Sequence, residues 1–273
     1  MIVHTVQARA FGTNCYLVAP GDGTDCVVVD PGIGVAGAVS DVLREHGLRP
    51  AAVLLTHGHL DHVYDVPVVV AGRAAGLAGL VPAERTPLPT HIHADDRYRL
   101  RNPVGDLDPT FVAMMEAQLG AGAAWKEPEV VVDLPAAPAR PSDPTSPAAD
   151  GGSASHGAVL HVAGMRIEVT HAPGHTEGSV TFGFSDVPDL TTHLGPRGSE
   201  AALQRSVLSG DVLFAGAIGR TDLPGGDPAA MARSLRDVVL SWPDSTLVLP
   251  GHGPATTMGR ERASNPFLRG HLV

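Results

Sequence analysis

Thr56-His57-Gly58-His59-Leu60-Asp61-His62 puts four potential metal ligands, His57, His59, Asp61 and His62, directly behind the apolar run Ala51-Ala52-Val53-Leu54-Leu55. That run reads as a buried strand, so His57 and His59, two residues apart, leave its end on the same side. Asp61 and His62 then begin a helix-like segment that can fold back over the same position. Imidazole nitrogen suits zinc and iron, and a carboxylate adds charge and a possible bridge between two ions. With 14 histidines in the chain, chance clustering is the competing explanation. It is the poorer one, because imidazoles and a carboxylate crowded at one strand end without a cation would be desolvated and badly paired.

Three later segments repeat the form, each a short apolar run ending in a Gly-flanked ligand: Thr170-His171-Ala172-Pro173-Gly174-His175-Thr176, Leu208-Ser209-Gly210-Asp211 and Leu249-Pro250-Gly251-His252-Gly253. Glycine beside a ligand lets the backbone turn sharply and approach an ion closely. Each is weak alone, and together they reinforce one another.

The rest of the chain sets bounds. Its 273 residues, 43% hydrophobic, are enough to build a sizeable core. No apolar stretch is long enough to span a bilayer and the N-terminus lacks the features of a secretory signal, so a soluble cytoplasmic protein is expected, with no membrane partner. A formal charge of −10 without a basic cluster argues against nucleic acid as the partner. Cys15 and Cys26 lie in strand-like stretches and are expected to be buried and reduced. Lys126 is the one lysine among 19 basic residues, and this bias, with abundant Ala, Gly and Pro, resembles the product of a GC-rich genome such as an actinobacterium's.

Strands are expected at Ile2–Gln7, Asn14–Ala19 and Cys26–Asp30, as an antiparallel start to a sheet. A helix follows from Val35 to His46, with Gly47 as its stop. Further helices are expected around Ala94–Arg101 and Pro109–Leu119, and Glu129–Asp133 ends the first half as a strand. Residues 134–156 are rich in Pro, Ala, Ser and Gly and should form a flexible surface excursion. The second half, from 157 to 273, has strands near Ala158–Val162, Met165–Thr170, Ser179–Phe184, Ser206–Ser209 and Thr246–Leu249. It also has an inserted loop at 185–205 and a helix near Pro228–Leu240. Two strand-rich halves with helices outside predict two packed sheets covered on both outer faces.

The patterns Thr56–His62, Pro173–Gly178, Ser209–Asp211 and Pro250–His252, with Asn14-Cys15-Tyr16-Leu17 and Val28-Val29-Asp30-Pro31-Gly32, resemble those of the metallo-β-lactamase superfamily. Within it they resemble the short bacterial glyoxalase II-like (hydroxyacylglutathione hydrolase-like) thioester hydrolases. The resemblance covers most of the chain. It implies an α/β fold (α+β by some schemes), a four-layer αββα sandwich of two mixed sheets, as one domain over residues 1–273. It also implies two divalent metal ions, with zinc first in line and iron or manganese as the other choices. His57, His59 and His175 would hold the first ion, Asp61, His62 and His252 the second, and Asp211 would bridge them, with Asp61 and Asp211 orienting a metal-bridging hydroxide.

The substrate so implied is a small-molecule thioester of the S-D-lactoyl-glutathione or S-lactoyl-mycothiol type. Glyoxalase II proper carries a Lys-Phe-Tyr stretch and a C-terminal helical domain. This chain has Gly219-Arg220-Thr221-Asp222 in the comparable place and a short C-terminus, which counts against glutathione as the natural thiol, and an actinobacterial host, as the composition suggests, would make mycothiol the expected carrier. Mono-iron persulfide dioxygenases share the fold and a Gly-Arg-Thr-Asp stretch, and are the alternative. A nuclease of the same superfamily fits the acidic balance poorly. Asp30 and Thr56 are placed to support the ligand loop. Arg220 and Asp222 are candidates for an internal ion pair. His4, His46, His91, His93, His156, His161, His171, His193 and His271 are read as packing or surface residues.

Overall fold

The computed structural model describes residues 1–72, 79–81, 83–105, 110, 125–135, 137–138, 157–188 and 202–269. The helix expected at Pro109–Leu119 lies almost wholly outside them, as do His156, His193 and His271.

Six strands form the first sheet in sequence order: β1 (Ile2–Gln7), β2 (Asn14–Ala19), β3 (Asp25–Val29), β4 (Arg49–Leu54), β5 (Thr90–Ile92) and β6 (Val131–Asp133). The first three run antiparallel as expected, while β3 to β6 pair in parallel. The parallel half needs crossovers, and α1 (Ala36–Glu45) supplies the first, ended by Gly47. The short helices α2 (Leu60–Val63) and α3 (Val66–Val70) follow β4.

The second half supplies β7 (Ala137–Pro138), β8 (Ala158–Val162), β9 (Met165–His171), β10 (Val180–Phe184) and β11 (Arg205–Gly210). A two-stranded ribbon of β12 (Leu213–Phe214) and β13 (Ala217–Ile218) comes next, then α4 (Pro228–Asp237), β14 (Thr246–Pro250), β15 (Thr256–Thr257), α5 (Met258–Ser264) and α6 (Pro266–Arg269). The second sheet runs β15-β14-β11-β10-β9-β7, with β8 also on β9 and with β11 parallel to β14.

Side-chain alternation distributes the core into layers. Tyr16, Val18, Val27, Val29 and Leu54 of the first sheet meet Ile167, Val169, Phe182, Leu208 and Leu249 of the second. The intervening positions Cys15, Leu17, Cys26, Val28 and Val53 face outward onto Val39 and Leu43 of α1 and Val66 and Val69 of α3. Val207 and Val248 face the other way onto Met231 and Leu235 of α4, Met258 of α5 and Leu268 of α6. Because both faces of both sheets are covered, the central strands read as near-continuous apolar runs instead of alternating ones. This is the αββα sandwich of two mixed sheets.

Several expectations shift in detail. The segment Ala94–Arg101 is a tighter 3-10 turn over Ala94–Leu100, and the helix expected to reach Leu240 stops at Asp237 before a 3-10 turn at Val239–Ser241. The start of the excursion expected at 134–156 belongs to the sandwich instead. Leu134 is buried among the residues between the sheets, and Ala137–Pro138 pairs with β9. Residues 139–156 and 189–201 lie outside the described residues, while Arg205 already belongs to β11. Both cysteines are free and buried, as expected.

Candidate metal centre

Strand ends converge at one edge of the sandwich. His57 and His59 follow β4, Asp61 and His62 ride on α2, His175 sits in the turn between β9 and β10, Asp211 follows β11, and His252 follows β14. All seven residues predicted from the sequence meet there. His59 Nδ1 lies 2.8 Å from His175 Nε2, and His62 Nε2 lies 3.2 Å from His252 Nε2. Asp211 stands between the two groups. Its Oδ1 is 3.4 Å from His62 Nε2, and its Oδ2 is 3.5 Å from His175 Nε2 and 3.4 Å from His252 Nε2. Asp61 Oδ2 is 3.3 Å from His252 Nε2. His57, His59 and His175 form one triad of converging donor atoms, Asp61, His62 and His252 another, and His57, His62 and Asp211 link them.

Outward hydrogen bonds fix which nitrogen faces in for four of the five imidazoles, His57, His62, His175 and His252. His62 Nδ1 donates to Asp30 Oδ2 at 3.0 Å, His175 Nδ1 to the Arg220 carbonyl at 2.7 Å, and His252 Nδ1 to the Phe11 carbonyl at 3.1 Å. The Thr56 hydroxyl donates to Asp30 Oδ2 at 2.6 Å, which leaves its oxygen to accept from His57 Nδ1 at 3.1 Å. Outward protons leave the inward nitrogen of a neutral imidazole with a lone pair, and two such lone pairs facing one another at about 3 Å repel unless a cation or a proton lies between them. Buried His57 Nε2 and Asp211 Oδ1 have no hydrogen-bond partner. The donor set, its spacing and these two orphaned atoms fit divalent cations. Tetrahedral bonds of about 2.1 Å place neighbouring ligand atoms roughly 3.4 Å apart, in the range found here.

The electrostatics split the cluster. Burial holds His57 well below the usual imidazole range, helped by the nearby His62 and His175, and burial with His175 brings His59 down to about 3. Burial also pulls at His62, but Asp211, Asp61 and Asp30 outweigh it and raise it well above that range. His252 goes the same way, to about 9, where Asp211 and Asp61 overcome burial. Burial pushes Asp61 up, but His62 and His252 bring it to about 2, and Asp211 falls well below the usual carboxylate range despite burial, with His62 foremost. The carboxylates are therefore charged, and protons sit where a cation would displace them.

The supporting residues come from far along the chain. Asp30 also accepts from the Thr56 N–H at 2.8 Å, as its place in the sequence suggested. Sequence reasoning did not foresee the props of the His252 loop, where Asn14 Nδ2 donates to the Pro250 and Gly253 carbonyls at 3.0 and 2.9 Å and Tyr16 OH to Pro250 at 2.7 Å. Nor did it foresee Thr13 Oγ1 donating to Asp61 Oδ2 at 2.9 Å. The Asn14-Cys15-Tyr16 motif was the available signal. Arg220 and Asp222 do pair, at 2.6 and 2.7 Å, and the Arg220 backbone carbonyl orients His175 as well.

Four of the histidines read as packing form two pairs. His93 stacks on His171 with centroids 4.1 Å apart and planes at 12°, and His4 packs on His46 at 3.8 Å, with His46 bonded to Asp22. Each pair has an aspartate close by. Stacked rings, however, direct their in-plane lone pairs side by side instead of at one point, so the His93 pair is poorly formed for an ion.

A cavity of about 530 Å³ opens over the cluster. Its floor is His59, Asp61, His175, Asp211 and His252, and Phe11, Leu60, Phe214, Ile218 and Leu223 make apolar walls.

An αββα sandwich with clustered imidazoles and carboxylates at its strand ends defines a metal-binding hydrolase class. The chain belongs to the metallo-β-lactamase superfamily, whose family profile matches residues 8–192. It is 37% identical over 270 residues, 99% of both chains, to an uncharacterised protein of Mycobacterium tuberculosis. It is 31% identical to a probable metallo-hydrolase, YqgX, of Bacillus subtilis, covering 85% of this chain and 82% of that one. A stretch of 112 residues, 41% of this chain and 45% of the other, is 37% identical to hydroxyacylglutathione hydrolase GloC of Haemophilus influenzae. Among solved structures, TTHA1623 in a di-iron-bound form superposes with a TM-score of 0.59 at 32% identity, covering 97% of this chain and all of that one. No helix among the described residues is long and apolar enough to cross a membrane.

Proposed function

We propose that this protein hydrolyses small-acyl thioesters with two divalent cations, zinc the first choice, held by His57, His59 and His175 on one side, Asp61, His62 and His252 on the other, and Asp211 between. The carrying observation is the pair of inward-facing triads joined by Asp211, with outward imidazole protons on Asp30, Thr56 and the Arg220 and Phe11 carbonyls. Bound cations of this kind make a solvent nucleophile available near neutral pH and polarise a carbonyl oxygen.

The chain's own residues do the rest. Asp61 and Asp211 stay charged and orient the solvent nucleophile by accepting its proton as a hydrogen bond. Thr13 and Asp30 hold Asp61 and His62 still. Phe11, Phe214 and Ile218 exclude bulk water from the acyl group, and a thiolate leaves without strong acid assistance. The part-length similarity to GloC supports a thioester, and the whole-length mycobacterial relative suits a carrier such as mycothiol over glutathione.

The test measures metal content alongside turnover of lactoylglutathione, lactoylmycothiol and glutathione persulfide. Two ions per chain with thioester cleavage are expected. One iron per chain with oxygen uptake on the persulfide would replace this reading by the dioxygenase one.

A further inference from the structure

Asp96 belongs to neither ligand loop, yet it holds both. It sits in the 3-10 turn Ala94–Leu100 behind β5 and is completely buried. Its Oδ2 accepts from the Gly58 N–H at 2.8 Å and the Thr176 hydroxyl at 2.7 Å, and its Oδ1 accepts from the Gly178 N–H at 2.8 Å. Gly58 separates His57 from His59, and Thr176 directly follows His175. One carboxylate therefore ties together two segments that follow strands of different sheets and carry the whole His57, His59 and His175 triad.

The fit around it leaves no room for adjustment. A Cβ at Gly58 would stand 2.7 Å from Arg99 Cδ, and one at Gly178 would stand 2.7 Å from Asp96 Cβ, so the glycines of both ligand motifs are where this turn presses in. Arg99 places Nε 3.5 Å from Asp96 Oδ1, and its Nη2 donates to Glu177 Oε2 and the Pro224 carbonyl, each at 2.9 Å. Charge-assisted bonds to a buried carboxylate are short and directional, and its removal leaves the opposing N–H groups without acceptors. Asp61, His62 and His252 are held instead by Thr13, Asp30 and the Phe11 carbonyl.

We propose that Asp96 is the positioning residue that sets the spacing of the His57, His59 and His175 triad, so that its loss weakens one cation position and spares the other. The inference rests on the two-cation reading above, and its test needs no substrate. Zinc is titrated into metal-free wild type, Asp96→Ala, Asp96→Asn, Thr176→Val and Glu261→Gln, with folding followed by circular dichroism. Glu261 is the control, a buried carboxylate that likewise accepts three bonds, from Gly216 N, Thr256 Oγ1 and Asn265 Nδ2, on α5.

Wild type and Glu261→Gln are expected to bind two ions alike. Asp96→Ala should keep one and lose affinity for the other by about 10- to 100-fold, the range found when a residue supporting a metal ligand is removed. Asp96→Asn, which turns an N–H donor toward one of its former partners, and Thr176→Val should fall in between. These two decide the matter if Asp96→Ala does not fold. Two ions bound with wild-type affinity in the Asp96 variants would overturn the role, and so would equal weakening of both ions or the same loss in Glu261→Gln. Fewer than two ions in wild type would overturn the two-cation reading itself.

Discussion

At His59 and Asp211 single side chains close the cluster, each across gaps of 2.8 to 3.5 Å. His59→Ala or Asp211→Ala should abolish thioester turnover while near-UV circular dichroism stays that of wild type. Unchanged turnover in either would refute the assignment of the site. Asp30 acts one step back. It accepts from Thr56 N, Thr56 Oγ1 and His62 Nδ1, so Asp30→Asn turns a donor toward one of these three. Metal affinity should then drop by about 10- to 100-fold, read by zinc titration with a fluorescent chelator as competitor. The seven candidate ligands were legible from sequence because they sit in four short motifs, each after an apolar run. Asp96 was not, since nothing in Ala94-Asp95-Asp96-Arg97 tells the buried carboxylate from the exposed one beside it. The Arg220 and Phe11 carbonyls were illegible too, because a backbone acceptor leaves no residue signature.

Elements were legible where periodicity was strong. β1, β2 and β8 have the expected bounds, whereas β5 is three residues long and the ribbon strands β12 and β13 are two each, too short for any period to show. Stability at this scale lies in the layer between the sheets. Phe182 of β10 is fully buried there against both sheets. Phe182→Ala should destabilise by about 3–5 kcal/mol, through lost burial and the cavity it leaves, as read from urea unfolding of the metal-free protein. At the start of α4, Asp227 accepts from Ala229 N and Ala230 N with Pro228 in the first turn. Asp227→Ala should lower the melting temperature of the metal-free protein by removing this cap, and it should leave metal stoichiometry unchanged, because the bond from the residue 227 N–H to the Gly174 carbonyl, 2.9 Å long, does not need the side chain.

For the molecule as a whole, the histidines act on stability in opposite directions, and the metal decides which of them count. His57, His59, His91, His93 and His175 are all held below the ordinary imidazole value, burial being the first cause in each. Between pH 6.5 and their folded values the unfolded chain binds more protons than the folded one, so their contribution is complete above about pH 6.5 and is lost as the pH falls. His62 and His252 are raised, His252 to about 9. Their contribution is complete below about pH 6.5 and is lost as the pH climbs through the folded value. The metal-free protein should therefore have its highest melting temperature at about pH 6.5 and decline on both sides. If cations bind as proposed they replace the protons on His62 and His252, so loading zinc should remove the alkaline decline and raise the melting temperature, because a ligand that binds only the folded state stabilises it by mass action. Differential scanning calorimetry from pH 5 to pH 10, with and without zinc, reads both effects. An alkaline decline that persists unchanged in the zinc-loaded protein would mean that His62 and His252 do not meet the ions, and the second triad would have to be abandoned.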